Sequence, residues 1–304
     1  MSNQVYINST AAYFPNNPVP NDEMEEYLGY INGKPSKSKK IVLRNNAIVN
    51  RYYALDKQGK PTHTNAQMTA LAVRALFNND AERLKEIELL ACGTSSPDQM
   101  MPSHGVMAHG WLPETDGIEV VSPAGVCCAG MHALKYAYLA IKAGEVDTAV
   151  ATGSERFSGL LVADVFEEEA HKLVELNENP YIAFSKEFLR WMLSDGASAF
   201  LLSNKPNPDG ISLRMEWIEG VSYANEMEPC MYMGAEKDAD GTFKGFMDYT
   251  PGEIMTKSIF SVKQDINLLS DNIVPLGGKK IKEIFEKKGL TVNDIDHFLP
   301  HISS

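Results

Sequence analysis

The chain has 304 residues, 44% apolar and 22% charged, which excludes general disorder and allows a sizeable core without disulfides or metals. Its net charge of −12 argues against nucleic acid as a general partner, because phosphate binding needs a basic field. No apolar run approaches the ~18 residues of a membrane span, and the opening MSNQVYINST lacks the basic-then-apolar pattern of a secretory signal. The four cysteines, Cys92, Cys127, Cys128 and Cys230, show neither zinc spacing nor a disulfide framework, so a reduced, cytoplasmic setting is expected.

Residues 15–40 are polar and rich in Pro and Gly around one short helical piece, and read as surface loops. From residue 65 the pattern becomes regular. Met68, Leu71, Ala72, Ala75 and Leu76 fall at helical spacing and define one face. Residues 87–93 (IELLACG) form a short apolar strand. Ser103 is placed to cap a helix running through Val106, Met107 and Trp111. A second strand is expected at 118–122, a helix at 128–143 ended by Gly144, a third strand at 147–153 and a fourth at 196–204. Near-continuously apolar strands alternating with helices imply a buried α/β sheet.

Residues 74–96 and 282–304 resemble each other at a constant offset of 208. Phe77 matches Phe285, Leu76 matches Ile284, Ile87 matches Ile295, and Ser95-Ser96 matches Ser303-Ser304. Each copy reads as helix, acidic turn, apolar strand and polar loop. A duplication follows, with a first half at 1–204 and the start of a second at 205–304. In the first copy further helices and strands follow the Ser-Ser pair. In the second the chain stops there, so the second half is expected to be incomplete, with its last strand at FLPH.

The segment VVSPAGVCCAGMHALKYAYLAIKAG (120–144) carries the main chemical signal. A strand ends, a small-residue turn follows, and Cys128 opens a long helix that is apolar nearly all round and so expected to be central. Free N–H groups and the helix dipole at such a position favour thiolate, the nucleophilic form. The competing reading is a buried structural cysteine. Cys127, still on the turn, is the weaker candidate. A cysteine nucleophile wants a partner: His132 lies at i+4 on the same face, and His301 ends the apolar FLPH strand. His297 sits earlier in that strand. His63, His104, His109 and His171 fall on loops or helix surfaces. Lys279, Lys280, Lys282, Lys287 and Lys288 crowd one stretch, either a solvated helix face or a dock for an acidic carrier.

With these residues in view, the chain resembles the thiolase superfamily, and within it the β-ketoacyl-acyl-carrier-protein synthase III type. CAG at 128–130 matches the nucleophile motif. SPDQMMPSHGVMAHGWL (96–112) resembles the segment before the nucleophile strand, SDGASAFLL (194–202) the glycine-bearing strand entry, FLPHISS (298–304) the strand and histidine motif, and IVNRYYALD (48–56) an N-terminal arginine region. The resemblance implies a thiolase-like α/β/α/β/α layered fold of two related halves, the second truncated here. It implies a Cys-His-Asn site in which Cys128 accepts an acyl group from a thioester and His301 helps decarboxylate a malonyl-type extender. The carbanion then attacks the acyl-Cys128, and the Cys128 backbone N–H contributes to an oxyanion hole. Met101 and Gly196 take substrate-binding positions. The family asparagine lies further along than this chain extends. Substrates arrive on coenzyme A or an acyl carrier protein, no metal or redox cofactor is implied, and the expected assembly is a homodimer with no membrane partner.

Three features depart from the plain pattern. The stretch 155–194 is longer and strongly acidic, then aromatic, and reads as a surface insertion or a lid. Met101 stands where a phenylalanine reaching toward the partner's acyl pocket is usual, which suggests a longer or branched primer. Residues 32–56 and the insertion resemble the dialkylresorcinol-type ketosynthases. The expected function is a carbon–carbon bond-forming acyltransferase of fatty-acid or specialised polyketide biosynthesis. The rivals are a non-catalytic partner subunit, an inactive fragment, and a thiolase or hydroxymethylglutaryl-type synthase, the last two releasing no carbon dioxide.

Overall fold

Six strands of the computed structural model, which describes residues 3–165, 188–238 and 240–301, form one mixed sheet. They are β1 (Tyr6–Tyr13), β2 (Leu89–Gly93), β3 (Glu119–Val121), β4 (Thr148–Glu155), β5 (Gly196–Ser203) and β6 (Leu213–Arg214). Their spatial order is β3-β2-β4-β5-β1-β6. The β2 strand is parallel to both β3 and β4, and the remaining pairs are antiparallel. This sheet belongs to the first of two units, which runs through Leu28, from Asn50 to Gly159 and from Ser194 to Ile218.

Helices cover both faces of the sheet. On one face, α1 (Asn65–Leu76) and α2 (His104–Gly110) cover β2, β4 and β5, and Met68, Ala72, Val73, Leu76, Leu90 and Ala199 share a core. On the other, α3 (Ala129–Ala143) buries Ala133, Ala137 and Ile141 against Leu89, Ala91, Ala149 and Ala151. Alternate residues of β2 therefore go to opposite cores, which is why the strand is buried on both sides and reads as a continuous apolar run.

Local chemistry accounts for the element ends. Thr64 caps α1 in a reciprocal capping box with Gln67. Gly144 adopts the left-handed conformation at the end of α3 and donates back to the Ala140 and Ile141 carbonyls. Three expectations need correction here. Ser103 is the residue before α2, but its hydroxyl makes no capping hydrogen bond. Ala75 is exposed, because α1 turns Thr69, Val73 and Phe77 inward instead. The α3 helix is not buried all round: Met131 and Leu139 are about half exposed, since only one stripe faces the sheet.

The amino-terminal strand β1 has no counterpart among the elements read from the sequence. Its residues, YINSTAAY, carry little apolar signal, yet β1 pairs with β5 over Tyr6–Tyr13 and sits inside the sheet.

The second unit takes Gly29–Val49, Leu160–Leu193 and the chain from Glu219. Trp191 is fully buried there, with the Arg190 and Lys39 cations over its ring. Arg190 donates to the Leu161 and Gly29 carbonyls. Its longest element is α4 (Ile266–Lys288), which carries no fully buried residue and ends at a left-handed Gly289. The helix and acidic-turn parts of the internal repeat are thus present. The expected FLPH strand is not: residues 295–301 are irregular, and Phe298 and Leu299 are exposed. A strand forms only against a ladder partner, and none among the described residues pairs with this segment. The acidic and aromatic stretch read as an insertion lies mainly at 166–187, with His171, outside the described residues. Among the described residues no helix is long and apolar enough to cross a membrane.

Candidate active site

The start of α3 meets the sheet at glycines. A Cβ on Gly93 of β2 would lie 2.2 Å from the Ala129 carbonyl oxygen, and one on Gly130 would lie 3.2 Å from Gly153 Cα of β4. Only glycines permit so close an approach of helix to strand. Cys128 is the cap residue one step ahead of this contact, and it is exposed. The turn before it is held by two hydrogen bonds: the Cys128 N–H donates to the Gly125 carbonyl at 2.9 Å, and the Ala129 N–H donates to the Val126 carbonyl. The Cys128 N–H is therefore engaged within the turn and is not the open oxyanion donor suggested by the sequence. Val126 has φ +50°, a left-handed conformation that costs a β-branched residue on the order of 1 kcal/mol or more.

Beside this turn, the loop leaving β2 is a polar hub. Asn65 Nδ2 donates to Thr94 Oγ1 and to the Ser96 carbonyl, each at 2.9 Å. Asp98 accepts from the N–H groups of Asn65 and Ala66 at 2.9 Å, so it anchors the start of α1. Glu155, the last residue of β4, accepts from the Ser95 N–H at 2.9 Å and the Ser96 hydroxyl at 2.5 Å. Burial pushes its carboxyl above the ordinary glutamate value, against these hydrogen bonds, which pull it down.

A cavity of about 340 Å³ opens at the same end of the sheet, lined by Phe14, Gly153, Ser154, Glu155, Asp195 and Gly196 among others. Phe14 stacks on Tyr52 at 4.7 Å, and its ring lies against Gly196. Asp195 accepts from the Ala54 N–H at 2.7 Å and the Ser158 N–H at 2.9 Å, fastening two loops to the start of β5. Burial raises the Asp195 carboxyl too, as the largest effect on it. Among the described residues no three His, Cys, Asp or Glu side chains gather in a metal-binding arrangement.

His104 is not on a surface, contrary to expectation. It is 3% exposed, and its Nε2 lies 3.1 Å from both Thr69 Oγ1 and Ser154 Oγ. The last is a cavity-lining hydroxyl. Burial lowers its pKa from 6.5 to about 4, with Asp98 opposing. The folded state thus prefers the neutral ring, so this contribution is complete above pH 6.5 and is lost as pH falls toward 4. The loss is about 3 kcal/mol at pH 4. Glu155 and Asp195, both raised, act in the opposite sense over the acid end of that range. Urea midpoints measured from pH 7 to 4 should fall steeply in the native protein and less in H104Q; parallel curves would remove His104 as the cause.

Of the residues singled out in the sequence, Cys128, His132, Met101 and Gly196 belong to the first unit and His301 to the second. Gly196 lines the cavity. His132 is exposed, with its ring against Gly125 in the turn that precedes Cys128. Met101 is 85% exposed and lies outside the cavity lining. His301 is exposed at the end of the irregular 295–301 segment. Sequence reasoning missed Glu155, His104 and Ser154. The first and last sit in TGSE, where a buried apolar strand ends in polar residues, and that switch was the available signal.

No family model matches the chain. It is 23% identical to the β-ketoacyl-[acyl-carrier-protein] synthase III of Neisseria gonorrhoeae, over 97% of this chain and 76% of the relative. It is 22% identical to the protein of that name from Cereibacter sphaeroides, over 99% and 77%. Among solved structures, a tetronic acid condensing enzyme aligns with a TM-score of 0.69 at 16% identity, covering 96% of this chain and 76% of its own. OleA of Xanthomonas campestris aligns with a TM-score of 0.66 at 17% identity, over 97% and 76%. The 3-oxoacyl-(acyl carrier protein) synthase III of Pseudomonas aeruginosa gives 0.61 at 14%, over 99% and 76%. The helix-covered mixed sheet, with a cysteine opening the helix that docks through glycines, is therefore the thiolase-like fold, and the chain is a distant relative of the β-ketoacyl-acyl-carrier-protein synthase III proteins.

Proposed function

We propose that the chain is a condensing enzyme that forms a carbon–carbon bond by Claisen condensation, with Cys128 as the acyl-accepting nucleophile. The observation that carries the reading is the placement of Cys128. It is an exposed thiol at the cap position of a 15-residue helix whose next two residues, Ala129 and Gly130, pack on Gly93 and on the cavity-lining Gly153. The relatives named as β-ketoacyl synthases support it. An acyl-thioester on Cys128 splits one difficult condensation into two easier steps. In this reading His301 is the second catalytic group, Met101 and Gly196 contact substrate, and the side chains do the chemistry with no metal or redox cofactor. The division into halves at residue 204 belongs to the same reading.

The acyl donor is a coenzyme A or acyl-carrier-protein thioester and the acceptor a malonyl- or β-ketoacyl-thioester. The pathway class is fatty-acid or dialkylresorcinol-type polyketide biosynthesis, in the cytoplasm. A homodimer is part of the proposal, supported by the outer edge of β3, which no other strand among the described residues pairs with, and by the exposed Met131 and Leu139 on α3. Intact mass spectrometry after incubation with mixed acyl-coenzyme A thioesters should show a single acyl increment. Added malonyl-thioester should then release carbon dioxide. An increment without carbon dioxide would favour a thiolase or hydroxymethylglutaryl-type synthase instead.

The lysine-rich stretch supports carrier docking less strongly than its count suggests. Lys287 and Lys288 pair with Glu219, Lys280 with Glu283, and Lys279 lies over the Tyr223 ring. Reversing charge with K279E/K282E should raise KM for carrier-linked substrate by about threefold or more, leaving KM for the coenzyme A thioester unchanged. An unchanged KM for the carrier-linked substrate would reject the dock.

A further inference from the structure

We propose that Glu155 is a positioning residue for Cys128, acting through Ser95 on the strained turn at Val126; the inference rests on the reading of Cys128 as nucleophile. Glu155 does not touch the turn itself. Its two carboxylate oxygens take up the loop that lies between them. Oε1 accepts the Ser95 N–H at 2.9 Å, and Oε2 accepts the Ser96 hydroxyl at 2.5 Å and that of Thr94 at 3.3 Å. The same loop then reaches the turn at two points. The Thr94 N–H donates to the Pro123 carbonyl at 3.2 Å, and the Ser95 hydroxyl donates to the Val126 carbonyl at 3.4 Å.

That second acceptor matters most. The Val126 carbonyl also receives the Ala129 N–H, so its direction sets how the chain enters α3 at Cys128. Val126 holds this direction at φ +50°, which it would not adopt alone. Strained backbone persists where surrounding contacts over-determine it. Three donors converge on Glu155, and its two carboxylate oxygens accept from all of them. General anchoring of the loop is already supplied from the other side by Asn65. The contact specific to Glu155 is the one with the Ser95 N–H, on the residue whose hydroxyl faces the turn.

The three cysteines that are not fully buried provide an internal comparison. Alkylation by iodoacetamide would be followed by peptide mass spectrometry at Cys128, Cys127 and Cys230 in one sample. E155A should slow Cys128 relative to Cys230, which lies away from the turn, by about tenfold, because the reactivity of a thiol at a helix start depends on how it is set against that start. S95A should give about a threefold loss, and E155Q, which keeps an acceptor for the Ser95 N–H, should recover most of the native ratio. Condensation by E155A should fall in kcat with KM unchanged. An unchanged Cys128-to-Cys230 ratio in E155A and S95A would overturn the proposal, as would a parallel change at all three cysteines. If E155A does not fold, S95A against E155Q decides by the same ratio. A native protein whose Cys128 takes no acyl group loses the nucleophile reading and this inference together. That failure shows before any Glu155 variant is made.

Discussion

Replacement of Gly93 by alanine is expected to destabilise the protein by about 3 kcal/mol and to abolish acylation of Cys128. The added methyl would sit 2.2 Å from the Ala129 carbonyl oxygen and 2.3 Å from its carbon. Both are backbone atoms, so no side chain can swing away to make room. Either β2 leaves its register with β4 or the first turn of α3 lifts from the sheet. The register is held by the ladder from Leu89–Ala149 to Gly93–Gly153, so the helix end is the part that yields. Cys128 stands one residue before Ala129 and moves with it. Urea denaturation measures the stability loss, and intact mass after acyl-coenzyme A treatment measures the activity loss. The matched control is G110A, at the end of α2, where a Cβ meets nothing within 4 Å. G110A should keep both stability and acylation. A G93A protein with native stability would mean that the close approach of α3 to β2 is wrong.

Replacement of Cys128 by alanine is expected to remove the acyl increment entirely and to reduce condensation on the order of a thousandfold or more, as removal of a covalent nucleophile does elsewhere. The fold should be unaffected, because the Cys128 side chain is exposed and makes no core contact. C127A is the necessary companion. Both thiols are exposed on adjacent residues, so an acyl increment alone does not say which carries it. The increment should survive in C127A, disappear in C128A, and map by peptide mass spectrometry to Cys128 in the native chain. An increment that survives in C128A and vanishes in C127A would move the nucleophile to the turn. Survival in both would mean that the acyl group sits elsewhere, and the condensing-enzyme reading of the CAG motif would fail.

The buried strands and the helices on them were readable because they are local patterns. LLACG is apolar without interruption and TAVATG nearly so, and α3 begins at a motif of small residues and ends at a glycine. The β1 strand was not readable, since YINSTAAY takes its place in the sheet from pairing with β5 rather than from its own composition. The FLPH segment shows the opposite failure. It has the composition of a strand but no partner among the described residues, and it stays irregular.

The candidate site divides in the same way. Cys128 was legible because a cysteine at the start of a long helix has a local chemical meaning. Gly196 was legible through its motif, and it lines the cavity. Glu155, His104 and Ser154 were not: the polar end of the TGSE strand marks a place for Ser154 and Glu155, but no neighbouring residue says what they bond to. His104 follows Ser103 at the start of a short helix, yet it meets Thr69 and Ser154 from elements 35 and 50 residues away in sequence. Glu155 meets a loop 59–61 residues earlier in the chain. The amino-acid sequence alone therefore established most of the first unit's helices and strands, the helix-opening cysteine and the family resemblance, all of which depend on residues near one another in the chain. Which carboxylate grips the loop beside the turn, which histidine is buried neutral, and which glycines admit the helix became visible only when the parallel strands brought distant loops to one end of the sheet. Hydrogen bonding and close packing act across space, whereas propensity and periodicity act along the chain.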